Sequence, residues 1–346
     1  MSHELEQYTD GSTAFVAGHN LDAWHRLGTV LPDGLTAEQV MTHAHLGGWD
    51  VRKKPVSVPI ATITDDGVTE TMTEVPGKYA TVRTHPVLHV EQIIGGAEFN
   101  GIVGESYQPF QNESLTEYLQ TLTDESGAIF DTAGSMRGGA DVFVTMKLPT
   151  TMLVGGVDEL DVNIAILNNH TGNRAITGLI TPTRIVCANT QAAALRNAKA
   201  SFKIRHTERA ADRVQQAREQ LGLTWKYVAE FEVEAERMIN QTLSQAAFRE
   251  VCDQIWPPPT GTATPRSQTI AANRNTALDR LFADAATNAN IRGTRWAGYQ
   301  AVAEYLDHTA PVQGKTATDK AINRALRTID GSVVVTKEKA FALLSV

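Results

Sequence analysis

From Glu159 to Thr207 the chain reads ELDVNIAILNNHTGNRAITGLITPTRIVCANTQAAALRNAKASFKIRHT, and no other stretch restricts the possible folds so tightly. Two runs of alternating apolar and polar residues flank the turn Asn168-Asn169-His170-Thr171-Gly172-Asn173. Alternation at period two buries one face of a strand and wets the other. The second run passes through Thr181-Pro182 into an alanine-rich segment that ends in basic residues. The pattern predicts strand, turn, strand, helix.

Just upstream, AIFDTAGSM and ADVFVTMKLP are separated by Arg137-Gly138-Gly139, which predicts a hairpin on a Gly-Gly turn. Residues 128–182 therefore predict four successive strands feeding a helix. The expected fold class is α+β: an antiparallel sheet of consecutive hairpins packed by helices, with a helical C-terminal region. Toward the N-terminus, Thr36 with Gln39 spells a capping box for a short helix ending at Gly47-Gly48. WDVRKKPVSV, GVTETMTEV and GKYATVRT predict three strands joined at Asp65-Asp66-Gly67 and at Pro76-Gly77. A second capping box, Ser114 with Glu117, opens a helix that places Leu115, Tyr118, Leu119 and Leu122 on one face. Phe202 to Thr207 predicts an edge strand or an extended link. From Glu208 a helix is expected to break at Gly222, with Thr224 capping a longer one.

A single core seldom grows beyond ~250–300 residues, and this chain has 346. The proline-rich run from Trp256 to Pro265 is the best linker signal. It divides the expectation into an α+β body (1–256, with central hairpins and helix at 128–206), a Pro/Gly/Thr-rich linker (257–271) and a helical C-terminal bundle (272–346). No apolar run approaches the ~18–20 residues that cross a bilayer, and MSHELEQYTD lacks the basic start and apolar core of a leader. Two cysteines, Cys187 and Cys252, supply no disulfide framework. The expected compartment is the cytoplasm of a bacterial host, with no membrane partner.

Charge is distributed unevenly. Residues 1–130 hold 18 acidic and 6 basic side chains, whereas residues 184–226 hold 3 and 9. The chain as a whole carries −8, so it is this segment that points to a nucleic-acid partner. Arg184, Arg196, Lys199, Lys203, Arg205, Arg209 and Arg213 are the candidate phosphate contacts, with Arg218 and Lys226 farther on. Asn168, Asn169, His170 and Asn189 are expected to order the turn and helix start or to contact backbone. Phe202 or Trp225 could stack on bases. The competing structural reading is a solvated basic face that complements acidic residues of the same chain, the Glu230–Glu236 run among them.

Other chemistry finds less support. Cys187 near a helix start, with His170, His206 or Asn189 as partners, would suit a thiol nucleophile. Its neighbours Ile185, Val186, Ala192 and Leu195 equally describe a buried structural cysteine. His19 with His25, and His43 with His45, lack metal-site spacing, since residues two apart do not share a helical face. Asp158, Glu159 and Asp161 fit turn chemistry at a strand start. No phosphate-cradling glycine motif occurs, so neither cofactor nor metal is expected.

Several of these stretches together resemble the phage/plasmid-like protein family of unknown function found in actinobacterial phages and their hosts. The matching residues are Ala23-Trp24-His25-Arg26-Leu27-Gly28, Leu167 to Gly172, Thr181 to Thr190, Ile204-Arg205-His206-Thr207, Trp296-Ala297-Gly298-Tyr299 and Glu304 to His308. The resemblance implies a mobile-element protein and no particular reaction. In order of elements, residues 128–200 are also similar to the Redβ, RecT and ERF-type single-strand annealing proteins, an analogy of topology and charge. It implies single-stranded DNA along a basic groove and subunits in rings or filaments.

The leading expectation is a non-enzymatic, phage-encoded protein of recombination or replication that binds or anneals single-stranded DNA as a homo-oligomer, in company with phage or host recombination proteins. An oligomeric assembly protein indifferent to DNA is the alternative. A Cys187-dependent enzyme stands third.

Overall fold

Val162, Ile164, Ile166 and Ile180, at alternate positions of two paired strands, lie at the centre of the computed structural model. The structure describes residues 5–18, 28–31, 35–64, 67–96, 101–184, 201–203, 210–261, 263–315, 320, 323–324, 327 and 333–346. The described chain is α+β, with two sheets, helices against the larger one and a helical C-terminal region.

The larger sheet contains β1 (Phe15–Ala17), β2 (Thr29–Val30), β7 (Ile129–Met136), β8 (Asp141–Val154), β9 (Asp158–Asn169), β10 (Thr177–Arg184) and β11 (Ser201–Lys203), in the order β11-β10-β9-β8-β7-β1-β2. β7 to β10 form the four consecutive antiparallel strands that the hairpin pattern predicts. β11 adds an edge, pairing Phe202 with Gly178. At the other side, β1 joins β7 antiparallel and β2 joins β1 parallel, a pair that no local pattern signals.

The smaller sheet holds β3 (Arg52–Thr64), β4 (Gly67–Thr84), β5 (Glu91–Ile93) and β6 (Ile102–Val103). Here Pro76-Gly77 does not separate two strands. The ladder jumps from Pro55↔Tyr79 to Ser57↔Glu74, so the dipeptide lies in an irregularity inside the single strand β4. Beyond that irregularity, β3 and β4 pair with each other alone among the described residues, as an arm leaving the body.

Helix α1 (Ala37–His43) begins on the predicted capping box: Gln39 N donates to Thr36 Oγ1 at 3.2 Å, and Thr36 N to Gln39 Oε1 at 2.9 Å. Helix α2 (Asn112–Ser126) starts two residues before Ser114 and uses no side-chain cap. Gln111 stands at that cap position with its amide engaged elsewhere, accepting from Val51 N at 2.9 Å and donating to Val51 O at 2.8 Å. A long-range amide pair thus displaces the local cap. Leu115, Tyr118, Leu119 and Leu122 are buried as the helical spacing requires.

The expected break at Gly222 is absent. Helix α3 runs 30 residues, Ala210–Ile239, straight through it. Ala217, Leu221, Thr224, Val228, Phe231, Ala235 and Met238 are buried at alternating steps of four and three, a continuous seam across the glycine. A mid-helix glycine costs ~1 kcal/mol against alanine, which such a seam outweighs. Thr224 lies within the helix and bonds back to Gln220 O at 2.9 Å.

The tail comprises α4 (Gln245–Ile255), α5 (Pro265–Ala283), α6 (Arg295–Glu304) and α7 (Val334–Leu344). The linker is shorter than 257–271, because Thr264 caps α5 and Pro265 takes its first turn, where no N–H is required. One apolar core runs from Val16 to Leu344. Phe231 stacks on Phe341 and meets Trp296 edge-on, with ring centroids 5.5 and 5.9 Å apart. Trp296 Nε1 donates to buried Asp158 Oδ2 at 2.7 Å. A buried ion pair, Lys337 to Asp307 at 2.6 Å, closes the tail on itself. Among the described residues, no helix is long and apolar enough to cross a membrane.

Candidate nucleic-acid interface

The turn after β9 is built from side chains turned inward. Asn169 Oδ1 accepts from Thr171 N at 3.2 Å, Thr171 Oγ1 at 2.9 Å and Asn173 N at 3.0 Å, a single carbonyl ordering the corner. Its amide donates to Asp141 Oδ1 at 2.9 Å, and the other oxygen of Asp141 holds Arg137 at 2.8 Å. His170 Nε2 lies 2.9 Å from Asn112 Oδ1, and the Asn112 amide is committed to Leu46 O at 3.0 Å. The carbonyl of Asn112 therefore faces the ring at Nε2, which the Asn168 amide nitrogen also approaches to 3.4 Å. Burial, with Arg83 nearby, pushes the His170 pKa down to about 3 and keeps the ring neutral.

Asn168, Asn169 and His170 are all buried. Of the two roles expected for them, ordering the turn describes their geometry. The other, contact with a nucleic-acid backbone, finds no surface at these side chains.

Beside His170 lies a cluster that the sequence reading did not single out. The Trp49 ring sits 5.5 Å from the His170 ring, and the Arg83 guanidinium lies over Trp49 at 4.1 Å. Arg83 is fully buried and forms a forked ion pair with Glu6, whose Oε2 also accepts from Ser135 Oγ at 2.8 Å. Gln92 Oε1 takes a further bond from Arg83 at 3.2 Å. Gly139, at φ 85°, passes so close that a Cβ there would lie 2.7 Å from Arg83 Nη1. Tyr8 packs edge-on against both His45 and His85. Desolvation lowers the pKa of both histidines. The cluster ties the N-terminal segment, the base of the arm and the β7–β8 turn together. Its parts lie far apart in sequence, so only their residue types could have hinted at it.

The surface a polymer could reach lies on the other side of β8 to β11. One face of these strands, with Val144, Met146, Ile164, Ile180 and Phe202, is buried in the core. Phe202 covers Gly178 so closely that a Cβ on the glycine would lie 2.1 Å from the ring, which locks the edge strand in register. The opposite face carries Thr145, Lys147, Asn163, Thr181 and Thr183, all part-exposed, and ends at exposed Ser201 and Lys203. Lys147 pairs with Asp161 at 2.7 Å, and the Asn163 amide donates to Thr183 Oγ1 at 3.0 Å. The alternation in β9 and β10 held this signal, since Asp161, Asn163, Thr181 and Thr183 occupy the positions between the core residues.

The basic segment meets the sheet at this edge. Arg184 ends β10, and Lys203 ends β11 opposite Thr177, at the other end of β10. Arg213 lies in α3, but the side chains of Arg184 and Arg213 fall outside the described set. Arg196, Lys199, Arg205, Arg209, Asn189, Cys187 and His206 lie outside the described residues altogether. Arg218 is engaged within the chain, its Nε 2.7 Å and its Nη2 3.2 Å from the Glu125 carboxylate. Lys226 is exposed. The other cysteine, Cys252, is buried, and its thiol is pushed up to about 12, too high to ionise near neutrality. Among the described residues, no group of three or more His, Cys, Asp or Glu could hold a metal ion.

A family described only as a domain of unknown function (DUF932) matches residues 100–328, about two thirds of the chain. The match takes in β7 to β11 and α3. No curated protein and no solved structure matches.

Proposed function

We propose a function from the premise that this chain belongs to the DUF932 family, a domain of unknown function: it binds single-stranded nucleic acid along the open polar face of β8–β11 and the basic segment fixed to that edge. One observation carries the reading. The segment 184–226, which holds nine cations against three acidic side chains, leaves the larger sheet at Arg184 and meets it again at Lys203, on the edge of a part-exposed face rich in Thr, Asn and Lys. Phosphates would be neutralised at the edge and along α3, while hydroxyls and amides of the face contact sugar and base edges. The function needs no cofactor. The resemblance of its motifs to phage and plasmid-like proteins and, in order of elements, to single-strand annealing proteins favours a role in recombination or replication of a mobile element in a bacterial cytoplasm.

Fluorescence anisotropy with a labelled single-stranded oligonucleotide tests this. Binding is expected at ~50 mM salt, falling steeply as salt rises, because a single strand releases about 0.7 counterions per phosphate contacted. Lys203→Glu should weaken binding several-fold without sequence dependence and flatten the salt slope. Absence of binding at low salt overturns the reading. The alternative function, protein assembly, is favoured by the β3–β4 arm.

A further inference from the structure

We propose that the outer edge of β4, from Val68 to Glu74, is a docking site that takes an extended segment of a partner protein, alternately basic and aliphatic on one face, as an added strand. From Ser57↔Glu74 to Ile63↔Val68, β3 and β4 pair over seven rungs. At ~3.3 Å per residue this is a ribbon of about 20 Å. β3 fills one edge of β4. On the opposite edge β5 occupies Val82–Thr84 and β6 occupies Tyr79–Ala80, and among the described residues no strand continues that line beside Val68–Glu74. Alternate residues of such an edge turn their N–H and C=O groups outward, a template for another chain. The two edges of the ribbon are protected unequally. β3 carries Pro55 and Pro59, which remove donors and blunt strand addition. Val68–Glu74 has no proline, no lysine and an unshifted ladder, and each of its residues is exposed.

Side chains along the edge set the chemistry of the partner. Val68, Glu70, Met72 and Glu74 share one face of β4, and Thr69, Thr71 and Thr73 share the other. Val68 is exposed by 69% and Met72 by 65%. Between Pro55 and Gly77 the sequence has four acidic residues, Asp65, Asp66, Glu70 and Glu74, and no Lys or Arg. A nucleic acid or an anionic bilayer would be repelled, and the arm of a second copy brings no cation to meet these carboxylates. A strand that fits beside β4 sets Lys or Arg against Glu70 and Glu74 and aliphatic side chains against Val68 and Met72. On its other face, hydroxyl or β-branched residues lie beside the threonines. Main-chain bonds give such a contact its affinity, and the alternate side chains give it selectivity.

Fluorescence anisotropy with dye-labelled, end-capped peptides, on the full chain, tests this. The probe Lys-Thr-Val-Thr-Lys-Thr-Val is expected to bind, and its counterpart with Glu in place of Lys is not. In Glu70→Lys/Glu74→Lys the preference should invert, the basic probe losing about tenfold in affinity. The acidic probe should then bind, which also shows that the variant folds. N-methylation separates strand addition from plain charge attraction, because a ladder uses the N–H of alternate residues only. Methylating one alternate set of the basic probe should abolish binding, and methylating the other should leave it. A basic probe that fails to bind, an unchanged preference in the charge-swapped chain, or equal binding of the two methylated probes overturns the proposal. So does a light-scattering mass of two chains that halves as probe is added, since a second copy would then hold the edge. Oligonucleotide binding is measured separately, so failure here leaves the nucleic-acid reading to its own test.

Discussion

His170 ties folding to pH through a single ring. Burial holds its pKa near 3, whereas an unfolded histidine titrates near 6.5. Below pH ~6.5 the unfolded chain gains a proton that the folded ring refuses, so stability is whole above that pH and declines as pH drops toward 3. At pH 5 the loss from this group is about 2 kcal/mol. His45 and His85 are shifted in the same direction and add to it. Urea midpoints at pH 7.5 and pH 5.0 are therefore expected to differ clearly. In His170→Gln, which cannot titrate, that difference should shrink by about 2 kcal/mol, whatever the variant does to absolute stability.

Helix α3 shows how packing overrides punctuation. Its glycine is exposed, and a Cβ there would meet nothing within 4 Å. Gly222→Ala is expected to raise stability by about 0.5–1 kcal/mol, read as a higher urea midpoint with unchanged slope. A true break at this position would have made the substitution neutral or harmful. The same contrast separates what could be read in advance from what could not. The capping box at Thr36, the Arg137-Gly138-Gly139 hairpin and the β9–β10 alternation are local, and the residues within a few positions decide them. Ser114 failed as a helix start because Gln111 is engaged by Val51, some sixty residues upstream. Pro76-Gly77 failed as a turn because β3 supplies partners on either side of it. Half of the polar face was legible in the β9–β10 pattern. The Arg83–Glu6 pair was not, since no spacing rule joins residue 6 to residue 83.

For the molecule as a whole, the apolar core crosses the proline-rich run without interruption. Phe231, Trp296 and Phe341 meet in one aromatic cluster, and Asp158 at the start of β9 is capped by a tryptophan of the tail. A chain ended at residue 256 would expose the tail-facing side of α3 and remove one partner of a buried carboxylate. It is expected to bind a hydrophobic dye and to lose its cooperative thermal transition in calorimetry. The linker signal thus marks a bend in the path of the chain more than a seam between independent units.

The position of β1 has a consequence in time. This strand pairs on one side with β7, Phe15 opposite Gly134, so roughly 120 residues must leave the ribosome before it finds its place. At translation rates of about 5–20 residues per second, that wait is roughly 6–24 s. During it, the apolar Phe15-Val16-Ala17, fully buried in the finished protein, has no sheet to join. This early segment stays unhoused until β7 emerges, and until then the nascent chain carries an adhesive stretch that a chaperone would have to shield.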